Sequence, residues 1–127
     1  MKKCISHVNM PANNLEDSTD WYVKYLGCTF IADFGDFAIL ELEEGPGIYL
    51  RLTGDRTANT FTVEGIPFPT IAIEVEGIED IVKAIKESGT NYEGDGEIDQ
   101  DEEGRKSFRF YDPTGNMIEV HEEPKEA

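Results

Sequence analysis

His7, Thr70, Arg51 and Glu119 are the side chains of this sequence most able to share one chemistry, because they fall at matching places in two similar halves. The run from Ser6-His7-Val8-Asn9 through Leu15-Glu16-Asp17 to Leu26-Gly27 is answered by a second one. That second run goes from Pro69-Thr70-Ile71-Ala72 through Ile78-Glu79-Asp80 to Ser88-Gly89. A repeat of about half a small domain implies two similar layers facing each other across a shared cleft. The repeat sets His7 opposite Thr70 and Arg51 opposite Glu119. An imidazole titrates near neutral pH and can serve as a base or a hydrogen-bond partner. A guanidinium can clamp a carboxylate or phosphate through parallel N–H donors, or pair with Glu119 across the cleft. Strand alternation puts Glu119 on one face with Met117 and His121.

The elements that must position these groups follow from periodicity. Residues 4–10 alternate as a strand, with Ile5, His7 and Asn9 on one face, and Pro11 ends it. Asn13 or Asn14 caps a helix whose first turn holds Glu16 and Asp17 and whose stop is Gly27. Strands are predicted over 29–34, 37–43 and 48–53, the last carrying Tyr49 and Arg51. Residues 54–67 are polar and rich in turn formers and read as a linker between module one, 1–53, and module two, 68–122. Module two repeats the order: a strand over 70–75, a helix over 79–88 stopped at Gly89, and a hairpin pairing 90–98 with 106–111. A last strand covers 117–122, and the tail 123–127 should fray. Asp112-Pro113-Thr114-Gly115-Asn116 is a tight turn by its own chemistry: Pro113 presets φ and Asp112 can accept backbone amides. The expected fold is α+β, one domain of two βαβββ modules. Each mixed sheet carries its helix on one face, which leaves the other face to curl around the cleft.

With 27 acidic and 11 basic residues the formal charge is −16, a field that repels phosphate backbones and anionic lipid. Nucleic acid and membrane are therefore not expected as partners, whereas an anionic small molecule can still be held by local positive charge. Cys4 and Cys28 are too few for a disulfide framework or a zinc site and read as buried, reduced thiols. Met1-Lys2-Lys3 is followed by no apolar stretch, since His7, Asn9 and Pro11 interrupt it, and the expected setting is the cytoplasm. A calcium loop started at Asp99 would need its bidentate glutamate at Phe110, so the acidic run 93–103 reads as a solvated hairpin loop.

Three stretches carry a family resemblance that covers essentially the whole chain. They are Ser6-His7-Val8; Leu15-Glu16-Asp17 leading to Trp21-Tyr22 and Tyr25-Leu26-Gly27; and Phe110-Tyr111-Asp112-Pro113-Thr114-Gly115-Asn116 leading to Ile118-Glu119-Val120. In these the chain resembles the vicinal oxygen chelate superfamily, which holds glyoxalase I, extradiol dioxygenases, fosfomycin-resistance transferases, methylmalonyl-CoA epimerase and bleomycin-resistance proteins. The resemblance implies a cleft in which metal-using relatives hold a divalent ion (Zn, Ni, Fe or Mn) between the first and last strands of each half. Carried onto this chain, those positions are His7, Thr70, Glu119 and Arg51. A threonine hydroxyl is a feeble ligand and a guanidinium opposes a dication, so the expectation is no cofactor, with His7 and Glu119 as the ligands if an ion binds. The leading expectation is a small-molecule-binding homodimer with contacts from His7, Asn9, Tyr49, Arg51, Thr70 and Glu119. The alternative is a metal-dependent lyase or dioxygenase in which His7 and Glu119 are catalytic.

Overall fold

Asn14 holds extended backbone (φ −150°, ψ 110°), and its side-chain oxygen accepts the Asp17 N–H, starting helix α1 over Leu15–Leu26. Gly27 ends that helix in the left-handed region at φ 68°, its N–H returned to the Tyr22 carbonyl. In the computed structural model, which describes residues 1–125, Leu15, Ser18, Trp21 and Tyr22 form the buried face of α1. The chain divides into two compact units, residues 1–58 and 59–127.

In the first unit α1 lies against a sheet of β1 (His7–Ala12), β2 (Thr29–Asp33), β3 (Phe37–Glu41) and β4 (Gly47–Leu52), in the order β1-β4-β3-β2. β1 runs parallel to β4, and the other pairings are antiparallel. Met10, Ala12, Ala38, Leu40, Ile48 and Leu50 are buried within this unit. Strand β1 starts and ends later than the 4–10 expected, and Pro11 lies inside it. β1 is the edge of its sheet, where a residue without an N–H is tolerated. The late start leaves Cys4 exposed, contrary to expectation, while Cys28 is buried and its thiol is pushed up to about 11 by that burial.

The second unit repeats the order. Strands β7 (Ile71–Glu74), β8 (Asp99–Gln100), β9 (Lys106–Tyr111) and β10 (Met117–Glu122) form a sheet ordered β7-β10-β9-β8, with β7 parallel to β10. Helix α2 (Ile78–Glu87) packs on β9 and β10, burying Ile78, Val82 and Ile85 near Phe108, Phe110, Ile118 and Val120. No side chain of its own caps α2. The carboxylate of Glu122 accepts the Gly77 and Ile78 N–H groups at 3.0 and 3.1 Å, and these bonds lower its pKa. The turn 112–116 is held as expected. Asp112 Oδ1 accepts the N–H groups of Thr114, Gly115 and Asn116, and Oδ2 accepts the Asn116 amide at 2.7 Å.

Two segments depart from expectation. The turn-rich stretch 54–67 contains a hairpin, β5 (Phe61–Val63) with β6 (Ile66–Phe68), turned by Glu64 at φ 50° and Gly65. Its alternation of Phe61, Val63, Ile66 and Phe68 with Thr62 and Pro67 was masked by the surrounding turn formers. Conversely, 90–98 forms no strand. Gly94 (φ 74°) and Gly96 (φ 85°) break the extended run, leaving a single bridge from Tyr92 to Phe110 and the short β8. Glu123 of the tail accepts from Arg105 Nε at 3.0 Å, and residues 126–127 lie outside the described residues. Among the described residues no helix is long and apolar enough to cross a membrane. The fold is α+β, with a βαβββ module in each unit.

Candidate functional site

The two ladders can be laid on each other through their registers. In the first, Val8 pairs with Ile48 and Asn9 with Tyr49. In the second, Ile71 pairs with Ile118 and Ala72 with Glu119. The third strand agrees: Ile39 stands across from Tyr49 as Arg109 stands across from Glu119. With His7 set against Thr70, the match of Glu119 is Tyr49 and Arg51 matches His121, so the pairs His7/Thr70 and Arg51/Glu119 cannot both hold. The sequence alignment was off by two residues. A slip of two leaves every side chain on its own face, so alternation gives no signal against it.

Register also separates the faces. Helix-side positions are apolar in both ladders: Val8 with Ile71, Met10 with Ile73, Leu40 with Phe110, Ile48 with Ile118, Leu50 with Val120. The opposite faces share almost nothing, and all the candidate residues stand there.

On the first of these faces His7, Asn9, Tyr49 and Arg51 are brought together. The His7 and Tyr49 rings stack at 3.9 Å and 15°. Phe37 continues the stack from Tyr49 at 5.7 Å, and Phe34 from Phe37 at 4.9 Å. The Arg51 guanidinium lies 4.5 Å from the Phe37 ring centre and 5.4 Å from that of Tyr49. Its Nε donates to Asn9 Oδ1 at 2.9 Å, which fixes the plane of the group. Among the described residues no carboxylate lies within salt-bridge distance of Arg51. Ser6 Oγ is 2.6 Å from His7 Nδ1 and so restrains the ring from its other side.

The second face is built from internal pairs. Glu119 accepts from Arg109 Nε at 2.9 Å, both side chains being mostly buried, and Phe68 covers the Arg109 guanidinium at 4.4 Å. Thr70 Oγ1 accepts from the Asn59 amide at 2.6 Å, and the Asn59 N–H is bonded in turn to Asn116 Oδ1. The Tyr111 hydroxyl donates to Glu93; burial, then that bond, raise the phenol to about 12. Arg109 and Phe37 were passed over in the sequence. Arg109 could have been found as the odd charged residue between Phe108 and Phe110, which must face away from the helix.

A model of the Glyoxalase/Bleomycin resistance protein/Dioxygenase superfamily matches residues 4–120. The chain belongs to that superfamily. Solved structures agree on the fold. The oxidase ChaP-H2 is 21% identical with a TM-score of 0.76, covering 100% of this chain and 98% of that one. The fosfomycin resistance protein FosX from Listeria monocytogenes is 16% identical with a TM-score of 0.76, covering 98% and 96%. A glyoxalase/bleomycin resistance protein/dioxygenase from Alicyclobacillus acidocaldarius is 22% identical with a TM-score of 0.68, covering 95% and 92%. Comparison with curated proteins found no match. Membership of the superfamily accounts for the doubled βαβββ order, whereas reaction and ligand lie in the residues grafted on it.

Proposed function

We propose that this superfamily member binds a small anionic molecule with a ring or alkyl body, without a resident metal. His7, Asn9, Tyr49 and Arg51, all on one face of the first unit, are its contacts. The observation that carries the reading is Arg51: a guanidinium aligned by Asn9, lying over two aromatic rings and free of any acidic partner among the described residues. In a chain of net charge −16 that is a local positive site beside apolar surface. The guanidinium takes the acid group, the Phe37 and Tyr49 rings take the body of the ligand, and His7 supplies a ring nitrogen at the end of the stack.

The donor set argues against an ion. The four positions that the family pattern points to are, by register, His7, Tyr49, Thr70 and Glu119. Glu119 already neutralises Arg109, and the Thr70 hydroxyl is already an acceptor. Among the described residues no three His, Cys, Asp or Glu side chains are grouped to hold a metal. These donors do not fit a divalent cofactor. The chain is further proposed to work as a homodimer in the cytoplasm.

Calorimetry with fosfomycin and with phenylacetate tests the reading, paired with metal analysis of protein purified without chelator. At least one anion should bind saturably with no turnover, and Arg51→Ala should weaken it tenfold or more, about 1.4 kcal/mol. Absence of saturable binding by both anions up to about 10 mM, some −2.7 kcal/mol, would sink the proposal. So would a stoichiometric divalent ion lost in His7→Ala or Glu119→Gln, which would favour the metal-dependent lyase or dioxygenase instead.

A further inference from the structure

A separate cavity of about 540 Å³ opens between the outer side of α1 and strand β2, within the roughly 300–1,000 Å³ range of ligand pockets. Its helix wall is a second stripe of α1: Glu16, Thr19, Asp20 and Val23 follow the i, i+3, i+4, i+7 spacing, offset from the buried stripe. Its strand wall is Phe30 and Asp33. Three residues apart, those two would face opposite sides of a regular strand. The register shift between Phe30 and Ala32 changes this, since Phe30 pairs with Leu40 and Asp33 with Ala38. Leu40 and Ala38 are both buried, two apart on β3, so the bulge turns Phe30 and Asp33 to the same side, toward α1. Bulges re-aim side chains in this way.

The cavity has an apolar floor and an acidic rim. Val23 and Phe30 are 40% and 47% exposed, which is free hydrocarbon surface beside the opening. Glu16 and Asp20 have no cationic partner among the described residues, and Asp33 uses one oxygen to accept the Gly35 N–H at 2.7 Å. Lys24 is the lone cation lining it, and its ammonium lies 5.3 Å from the Tyr25 ring centre. Thr19 also lines the cavity, but its Oγ1 is shut off from water and offers the opening no accessible oxygen.

We infer that this cavity is a binding site for a small organic cation, an amine or quaternary ammonium with an apolar body. The positive head sits among the carboxylates of Glu16, Asp20 and Asp33, and the body covers Val23 and the face of Phe30. A desolvated cation over an aromatic face adds to that attraction. This site shares no residue with the Arg51 face and selects the opposite charge, so each stands or falls alone.

The test is a set of NMR titrations of backbone amides with 2-phenylethylamine, 2-phenylethanol and phenylacetate as cationic, neutral and anionic probes of one shape. The amine should shift the amides of α1 and β2 saturably, with the alcohol at least fivefold weaker and phenylacetate without effect at those residues. Asp20→Asn and Asp33→Asn should each weaken the amine fivefold or more. Both sit at exposed positions, and asparagine can keep the bond to Gly35, so the fold is retained. Arg51→Ala should leave the amine titration unchanged. The inference is overturned by the absence of saturable shifts at α1 and β2. Equal binding of amine and phenylacetate there, or affinity indifferent to both asparagine variants, would overturn it equally.

Discussion

The two ladders of this chain agree position by position on the side that meets a helix and disagree on the other. His7 against Thr70, Asn9 against Ala72, Tyr49 against Glu119, Arg51 against His121 and Ile39 against Arg109 are the mismatches. One face is an aromatic platform with an acid-free guanidinium, and the other is a self-neutralised polar layer. The helix side specifies the architecture, where any well-packed apolar set suffices. The far side is free to vary, so it is where the units acquire different chemistry. The same contrast runs through the turns and caps. The β9–β10 turn is bound by one buried aspartate, and α1 is capped locally while α2 borrows its cap from β10.

Breaking the turn should have the largest effect. Asp112→Ala strands three backbone N–H groups and the Asn116 amide and should cost roughly 3 kcal/mol or more in urea unfolding. A loss under 1 kcal/mol would mean that the turn of the second unit is no more dependent on side chains than that of the first. Next comes Arg109→Ala, which removes both the Glu119 pair and the cover of Phe68. It should cost about 1–2 kcal/mol, against less than about 0.5 for the exposed Arg51→Ala. Equal costs would erase the distinction between a structural and a binding arginine.

The caps give the smaller effects. Asn14→Ala should lose about 1 kcal/mol at any pH, since an amide does not titrate. Glu122→Gln should behave differently. Its carboxyl is held below the ordinary carboxylate range by the Gly77 and Ile78 N–H groups, so its contribution is present at neutral pH. That contribution fades as the pH falls through the folded-state value, and the gap between wild type and variant should close below about pH 4. Thermal melts across that range check the sign, and a gap that widens in acid would contradict the capping role.

These cases also show where the sequence was readable. The α1 cap, its glycine stop, the Asp112 turn and strand β10 are local codes, written within a few neighbouring residues, and each could be recognised directly. The Glu122 cap joins residues 44 apart and has no local signature. The strand expected over 90–98 does not form because Gly94 and Gly96, both at positive φ, interrupt the extended run. The β5–β6 hairpin was lost for the opposite reason, its short alternation lying among turn formers. At the candidate site the face was legible and the register was not. A period of two identifies His7, Asn9, Tyr49 and Arg51 as neighbours in space but says nothing of which rung each occupies.

The two thiols differ in a way that makes them a matched pair of reporters. Burial pushes the Cys28 thiol up to about 11 and shields it from reagent, so at pH 8 Cys28 is nearly inert, whereas Cys4 is exposed to reagent. An alkylating reagent should therefore mark each chain once, quickly, ahead of β1. The second mark must wait until the first unit opens, and its rate becomes a stopwatch for that opening.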